Sequence, residues 1–239
     1  MHSKKWRIFD RLTEKCYDNL IASEKDGSCW QQAFELLKEI IREERQENPS
    51  GMSELELVDD ATDYEHDVQG WLEDCLDEMD MRKDYETLLR MCDDLLKMFG
   101  WPEYSGSDIK FLKVSALGEL GRNREAVEYC RKWIQKEPEN VVASTAGVYA
   151  FIRTKEYEEA EKLAAGFILN PTECTEENEL MFTAASKLYE AMGRKKEKQQ
   201  TDRAIKEYEE RLEAELADFD MDDEDEYSFG DWDDDDLPF

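Results

Sequence analysis

The strongest constraint on the fold of this chain is an internal repeat in its second half. Residues 107–140 and 141–174 carry small, apolar and proline residues in matching places. The matching positions are 33 or 34 residues apart: Ala126 and Ala160, Trp133 and Phe167, Pro138 and Pro171. A fixed period of this length is typical of proteins in which each unit buries its apolar face against its neighbours. The spacing predicts two units, each with a helix, a turn, a second helix and a closing proline.

Helical periodicity continues on both sides of this repeat. Proline and glycine are scarce, at 5 and 11 residues in a chain of 239, and apolar residues recur at spacings of three and four. Two helices are predicted before the polar run 42–50, and two more between 69 and 100. A divergent last hairpin is predicted over 179–216, and its nearly all-polar second helix suits the end of a repeat array.

The 34-residue period, the alanine late in each unit and the closing proline resemble the tetratricopeptide repeat. The resemblance is good over 107–174, and 69–100 fits the same frame with Leu88 in the alanine place. Lys110 and Ser144 stand where that family has a large aromatic residue. The resemblance implies an all-α fold of stacked antiparallel helical hairpins forming a solenoid. A non-repetitive helical bundle is the alternative.

Four segments are predicted along the chain. They are an N-terminal helical hairpin (1–52), an acidic connection (53–68), the repeats with a capping helix (69–217), and a disordered acidic tail (218–239).

The charge balance limits the class of partner. The chain has 61 acidic and 31 basic residues, for a net charge of -30. Such a charge repels nucleic acids and anionic membranes, so we expect protein partners with basic surfaces and no direct nucleic-acid binding. Solubility alone is the alternative explanation. No apolar run approaches the roughly 18 residues of a membrane span, and no secretion signal is recognised. A cytoplasmic protein with reduced cysteines is predicted.

The residue patterns of catalysis are missing from the sequence. It has two histidines, His2 and His66, and no zinc-type cysteine spacing, phosphate-binding glycine loop or nucleophile elbow. His66 stands between Glu65 and Asp67, but adjacent residues of a helix point in different directions, which disfavours a metal site there. We therefore predict no enzyme activity, no cofactor and no metal.

A partner-binding groove is implied by the tetratricopeptide-repeat resemblance, because the first helix of each unit lines the concave face of such an array. Carrying the family's groove positions onto this chain selects Phe111, Ser115, Thr145, Tyr149, Ile152, Arg153, Thr183 and Lys187. The alternative is that these side chains pack in the core or face water.

The composition changes abruptly in the last 22 residues, DFDMDDEDEYSFGDWDDDDLPF. Twelve of them are acidic and none is basic, which predicts disorder through self-repulsion. The chain then ends on an apolar tripeptide where a solvated tail would stay polar. An acidic tail of this kind serves solubility or occupies a basic surface.

The final seven residues resemble the C-terminal tip of bacterial single-stranded-DNA-binding proteins, where several aspartates precede Ile/Leu-Pro-Phe. They are Asp233, Asp234, Asp235, Asp236, Leu237, Pro238 and Phe239. In that family the tip docks on replication, recombination and repair enzymes. The resemblance implies that Phe239 enters an apolar pocket, that its carboxylate meets an arginine, and that the aspartates lie along a basic ridge.

These features together predict a bacterial protein–protein adaptor, with a repeat groove that binds one protein and a tip that docks on genome-maintenance enzymes. One alternative is a general repeat scaffold or chaperone-like module whose tail only solubilises it. Another is an acidic mimic of DNA that occupies a nucleic-acid-binding protein.

Overall fold

The computed structural model describes the backbone of residues 2–21, 27–49 and 51–223, and the side chains within 4–21, 27–49 and 51–217. Within these ranges it contains eleven α-helices and no β-strand, which confirms the predicted all-α class. The helices are α1 (His2–Ile21), α2 (Ser28–Glu47), α3 (Glu56–Asp60), α4 (Val68–Met81), α5 (Tyr85–Met98), α6 (Ser107–Glu119), α7 (Asn123–Lys136), α8 (Val141–Thr154), α9 (Tyr157–Phe167), α10 (Glu179–Ala191) and α11 (Lys195–Asp223).

The chain forms two compact units, Met1–Ala146 and Gly147–Phe239. Their boundary falls inside α8, within the segment 69–217 that the sequence predicts as one set of repeats. In the first unit α1 packs on α2, and α5 packs on both α4 and α6. In the second unit α10 packs on both α9 and α11.

Four helical hairpins share the same turn: α4/α5, α6/α7, α8/α9 and α10/α11. Each turn contains one residue with a left-handed backbone, and these residues are Lys83, Gly121, Lys155 and Gly193, with φ of 60°, 72°, 64° and 70°. In the α6/α7 turn, the N–H of Gly121 donates to the carbonyl of Gly118 at 3.0 Å, and that of Arg122 donates to Leu117 at 2.8 Å. These two bonds define a Schellman motif, which closes the end of a helix. The repetition seen in the sequence therefore extends to the backbone.

The alanines of the repeat are buried at equivalent places in the second helix of each central hairpin. Ala126 of α7 and Ala160 of α9 are 1% and 0% exposed. Leu88, which takes the same place in α5, is also fully buried. A small side chain here lets the second helix lie close to its neighbours, whereas a larger one would require repacking.

Asn140 organises the start of α8. Its side-chain oxygen accepts the N–H groups of Val142 and Ala143 at 3.0 and 3.2 Å, which satisfies two donors of the first helical turn. Its amide nitrogen donates to the Ser107 hydroxyl at 2.9 Å and to the Glu137 carboxylate at 2.7 Å. The first residue of α6 is thereby joined to the start of α8, 34 residues later.

Glu137 is the second polar centre of this junction. Besides Asn140, it accepts hydrogen bonds from the ammonium of Lys110 at 2.6 Å and the indole N–H of Trp133 at 2.7 Å. Burial raises the pKa of Glu137, but the hydrogen bonds from Lys110, Trp133 and Asn140 lower it more, and the net shift is downward. The carboxylate is therefore held ionised at neutral pH.

Aromatic side chains fill the core of the first unit. Trp30 of α2 stacks on Trp71 of α4 with ring centroids 6.1 Å apart, and Phe9 of α1 meets Trp71 edge-on at 5.1 Å. All three are buried. In the second unit, Phe182 of α10 and Tyr208 of α11 are buried together with Cys174. The core of the first unit joins helices that are distant in sequence, whereas this second core joins the consecutive helices α10 and α11 to the segment before them.

The segment 53–68, predicted as an acidic connection, is folded in the structure. It contains α3, and Val58 of that helix is fully buried. The carboxylate of Asp59, which is 4% exposed, accepts the N–H groups of Val68 and Gln69 at 2.7 and 2.9 Å. Asp59 thus caps α4 from nine positions before its first residue, a contact that local sequence patterns do not reveal.

His66 also holds this segment in place. Its ring stacks on Trp6 of α1 with centroids 4.3 Å apart and an interplanar angle of 3°. Its Nδ1 lies 2.7 Å from a carboxylate oxygen of Asp10. Both contacts join the segment to α1, and they give His66 a role in packing.

The last helix is longer than the sequence predicts. The apolar pattern predicts an end near Leu216 and a disordered tail from residue 218, but α11 continues to Asp223. Pairs of opposite charge at i,i+4, such as Arg203–Glu207 at 2.7 Å and Lys206–Glu210 at 3.1 Å, favour the helical conformation of α11 where packing contributes less, since residues 209–217 are all exposed. The predicted tail therefore begins inside a helix, and residues 224–239 lie outside the described part of the chain.

Candidate functional site

The first unit contains an open cavity of about 320 Å³ between α4 and α6. Helix α5 contributes to its floor, and the short segments 54–56 and 100–102 close one end. Such a volume lies at the lower end of the range for ligand pockets. A cavity of this size fits one or two side chains of a partner, and it is too small to hold a longer stretch of the partner's chain.

Three hydrogen bonds hold the closed end of the cavity together. The N–H of Gly100 donates to the carbonyl of Ser53 at 2.8 Å, which ties the two short segments to each other. The guanidinium of Arg45 on α2 donates to the carbonyl of Met98 at 2.6 Å and also to that of Met52. One arginine therefore fixes the chain on both sides of this end.

Trp101 lies on the lining of the cavity and packs against the backbone of Gly106. A Cβ atom at Gly106 would lie 2.9 Å from the Trp101 ring, which is too close for any other residue without a shift of the indole. The glycine before α6 is therefore needed for the position of Trp101 in this wall.

The floor of the cavity is apolar. It is lined by Leu72, Leu76, Leu95, Ile109 and Leu112. The first four are buried and Leu112 is half-buried, so the floor is a firm part of the core. An apolar group placed on it would be removed from water without displacing any of these side chains.

The rim of the cavity is acidic. Five carboxylates line it, and none of the described residues that line it is basic: Glu54, Glu56, Glu73, Asp77 and Asp108. Glu54 is half-buried and the other four are exposed. Glu73 and Asp77 lie one helical turn apart on α4, where two like charges repel each other. We call this set the acidic rim.

Other carboxylates of the first unit have basic partners. Glu35 pairs with Lys38 at 2.9 Å and with Arg90 at 2.7 Å, and Asp93 pairs with Lys113 at 2.5 Å. Within the described residues, by contrast, no carboxylate of the acidic rim takes part in an ion pair or a side-chain hydrogen bond. The rim therefore concentrates negative charge that no described side chain compensates through an ion pair.

The predicted groove residues are divided between the two units. Phe111 and Ser115 are half-buried on α6, one helical turn apart and on the side that carries Asp108 and Leu112 of the cavity. Thr145, on α8, is only 2% exposed, so its side chain offers almost no surface to a partner.

In the second unit, Tyr149 and Ile152 are half-buried on α8 and Arg153 is exposed. Burial raises the pKa of Tyr149. Thr183 and Lys187 are exposed on α10, and Lys187 lies 3.8 Å from Glu190. These five side chains leave an accessible, mixed surface on the first helices of their hairpins.

The predicted docking tip, residues 233–239, lies outside the described residues. Within the described chain, no group of three or more histidine, cysteine, aspartate or glutamate side chains is arranged to hold a metal ion. Burial raises the pKa of Cys92 and of Cys130 to about 12, which keeps both thiols protonated. No described helix is long and apolar enough to cross a membrane.

Sequence patterns do not reveal the acidic rim, because carboxylates are abundant along the whole chain. The one local signal is on α4, where Glu73 and Asp77 alternate with Leu72 and Leu76 on neighbouring faces. That pattern does not show which distant carboxylates join them. No protein family, curated protein or solved structure matches the chain.

Proposed function

We propose that this protein is an adaptor that joins two proteins, one bound by its helical body and one by its C-terminal tip. The observation that carries the proposal is the ending Asp-Asp-Asp-Asp-Leu-Pro-Phe on an acidic tail. The helical body supports the same function, because it presents accessible side chains on the first helices of its hairpins. Its buried cysteine thiols are unsuited to nucleophilic chemistry.

The proposed form of the body is a solenoid of the tetratricopeptide type. Two features support it: the 34-residue spacing of Ala126 and Ala160, and the Schellman turn that recurs in all four hairpins. In such an array the first helices of successive hairpins form a continuous binding face. The proposed groove residues on α6, α8 and α10 belong to these first helices.

The proposed partners of the tip are bacterial replication, recombination or repair enzymes, in the cytoplasm. A flexible acidic strand is steered to a basic surface by long-range attraction. The side chain of Phe239 then supplies a buried anchor, and its terminal carboxylate can accept a two-pronged hydrogen bond from an arginine. Pro238 limits the freedom of the backbone just before the anchor.

The test is capture of proteins from a bacterial lysate by the whole chain and by a chain that lacks only Phe239. We expect replication, recombination or repair proteins to be captured by the first and lost by the second. The matched control is Phe229→Ala, which removes an aromatic side chain from the same tail and leaves the tip intact. A synthetic peptide of the last seven residues should compete with a free C-terminus and fail when amidated.

Two other outcomes would identify the alternatives. If the captured set does not depend on Phe239, the tail only solubilises a general scaffold or chaperone-like body. If the captured proteins bind nucleic acids, ignore the loss of Phe239 and are released steeply by salt, the chain acts as a mimic of DNA.

A further inference from the structure

We infer that the cavity between α4 and α6 is a docking site for a cationic amphipathic segment of a partner protein. The segment carries one or two apolar side chains flanked by lysine or arginine. This inference rests on the proposed protein-binding role of the helical body, but it does not depend on the tip. It assigns a partner chemistry to a surface outside the predicted groove set.

The apolar part of the partner follows from the floor of the cavity. Leu72, Leu76 and Ile109 are buried in the free protein, so they are already positioned and lose little freedom when a ligand covers them. The volume of about 320 Å³ admits one or two large aliphatic or aromatic side chains. A purely ionic ligand would place no apolar group against this floor.

The cationic part follows from the acidic rim. Its carboxylates have no ion-pair or hydrogen-bond partner among the described residues, whereas Glu35 and Asp93 of the same unit are paired. Repulsion between Glu73 and Asp77 is present in the free protein, and a bound cation would relieve it. A lysine or arginine beside the apolar anchor of the partner would therefore be attracted to the rim carboxylates, and it would also reduce the repulsion between Glu73 and Asp77.

The same charges exclude one obvious occupant. The C-terminal tip of this chain also ends in apolar residues, but its four aspartates would meet five carboxylates at the rim. Charge complementarity therefore assigns the tip and the cavity to different partners, which suits a protein that joins two others.

The test is a binding titration of the full-length protein with three labelled peptides of about twelve residues. The first contains leucine and lysine, with leucines at helical spacing. In the second every leucine is replaced by serine, and in the third every lysine is replaced by glutamate. We expect the first peptide to bind about tenfold or more tightly than the second, and the third not to bind.

Variants of the chain separate the cavity from the general negative charge, which matters because the acidic tail also attracts cations. The cavity variant is Glu73→Gln, Asp77→Asn and Asp108→Asn together. The control variant removes the same charge from exposed sites elsewhere: Glu14→Gln, Glu139→Gln and Glu158→Gln. We expect the first to weaken binding of the leucine–lysine peptide by about tenfold, and the second by less than about twofold.

A second variant guards against misfolding of the first. Ser105 is exposed at the edge of the cavity, so Ser105→Trp fills the cavity without changing any charge. It should weaken peptide binding as much as the triple variant does, with circular dichroism and thermal unfolding confirming that both variants fold.

Three results would overturn the inference. They are equal binding of the leucine and serine peptides, equal losses in the two triple variants, and no effect of Ser105→Trp in a folded protein. Deletion of Phe239 should leave peptide binding unchanged, so failure of the cavity and failure of the tip can be told apart.

Discussion

Replacement of Asp59 by asparagine should destabilise the first unit by about 3 kcal/mol. The buried carboxylate accepts two backbone N–H groups at the start of α4, at 2.7 and 2.9 Å. Hydrogen bonds to a charged group contribute about 1.5–3 kcal/mol each. Asparagine keeps one acceptor but turns its own N–H₂ group toward the second donor, so one bond is lost and two donors face each other. Loss of the charge near the helix N-terminus adds about 0.5 kcal/mol.

The assay is urea unfolding followed by tryptophan fluorescence, because Trp30 and Trp71 lie in the core that α4 completes. The control is Asp63→Asn, the same chemical change at an exposed position of the same segment, where asparagine tolerates the left-handed backbone at φ 51°. We expect this control to change stability by less than about 0.5 kcal/mol. If Asp59→Asn were equally mild, the Asp59 carboxylate would not hold α4 in place, and segment 53–68 would not be fastened through this cap.

Three further predictions concern the turns, a carboxylate and the thiols. Gly121→Ala should destabilise the protein by about 1 kcal/mol through backbone strain alone, since no atom lies within 4 Å of the added methyl group. Lys155→Gly should stabilise it by up to about 1 kcal/mol, because it removes the side chain from a left-handed backbone at φ 64°. Glu137→Gln should cost about 1–2 kcal/mol at pH 7 and progressively less as the pH falls below 4.5. The thiols of Cys92 and Cys130 should resist alkylation at pH 8 in the native protein and react after unfolding in urea.

The turn and Glu137 predictions are checked by the same urea unfolding assay, and the thiol prediction by alkylation. For the turns, the two substitutions should change the free energy of unfolding in opposite directions, and a stabilising Gly121→Ala would contradict the assigned backbone. The pKa of Glu137 is lowered from the ordinary value of 4.5, so its contribution is present above that pH and is lost as the pH falls through the folded pKa. A constant difference between the wild type and Glu137→Gln from pH 7 to pH 3 would therefore refute it. Rapid native-state labelling of Cys92 or Cys130 would show that their helices open readily.

Much of the secondary structure could be predicted from local patterns. Spacings of three and four place the helices, and the glycines at 121 and 193 mark two of the four hairpin turns. The other two turns have Lys83 and Lys155 in the left-handed region. A lysine is costly there, so no residue preference predicts it, and it is adopted because the packing of the two helices requires the same turn.

The all-helical class, the 34-residue repeat and the strongly negative charge can be read from the amino-acid sequence, because each depends on composition or on residues close in the chain. Which of the many carboxylates are paired depends on how the helices pack in three dimensions. Glu54 of the connecting segment, Asp77 of α4 and Asp108 of α6 meet at one cavity. Helical periodicity shows which residues lie on the same face of one helix, but it does not show which residues of another helix lie opposite that face. The electrostatic energy around the cavity depends on the distances between carboxylates of different helices, so it could not be predicted from the sequence.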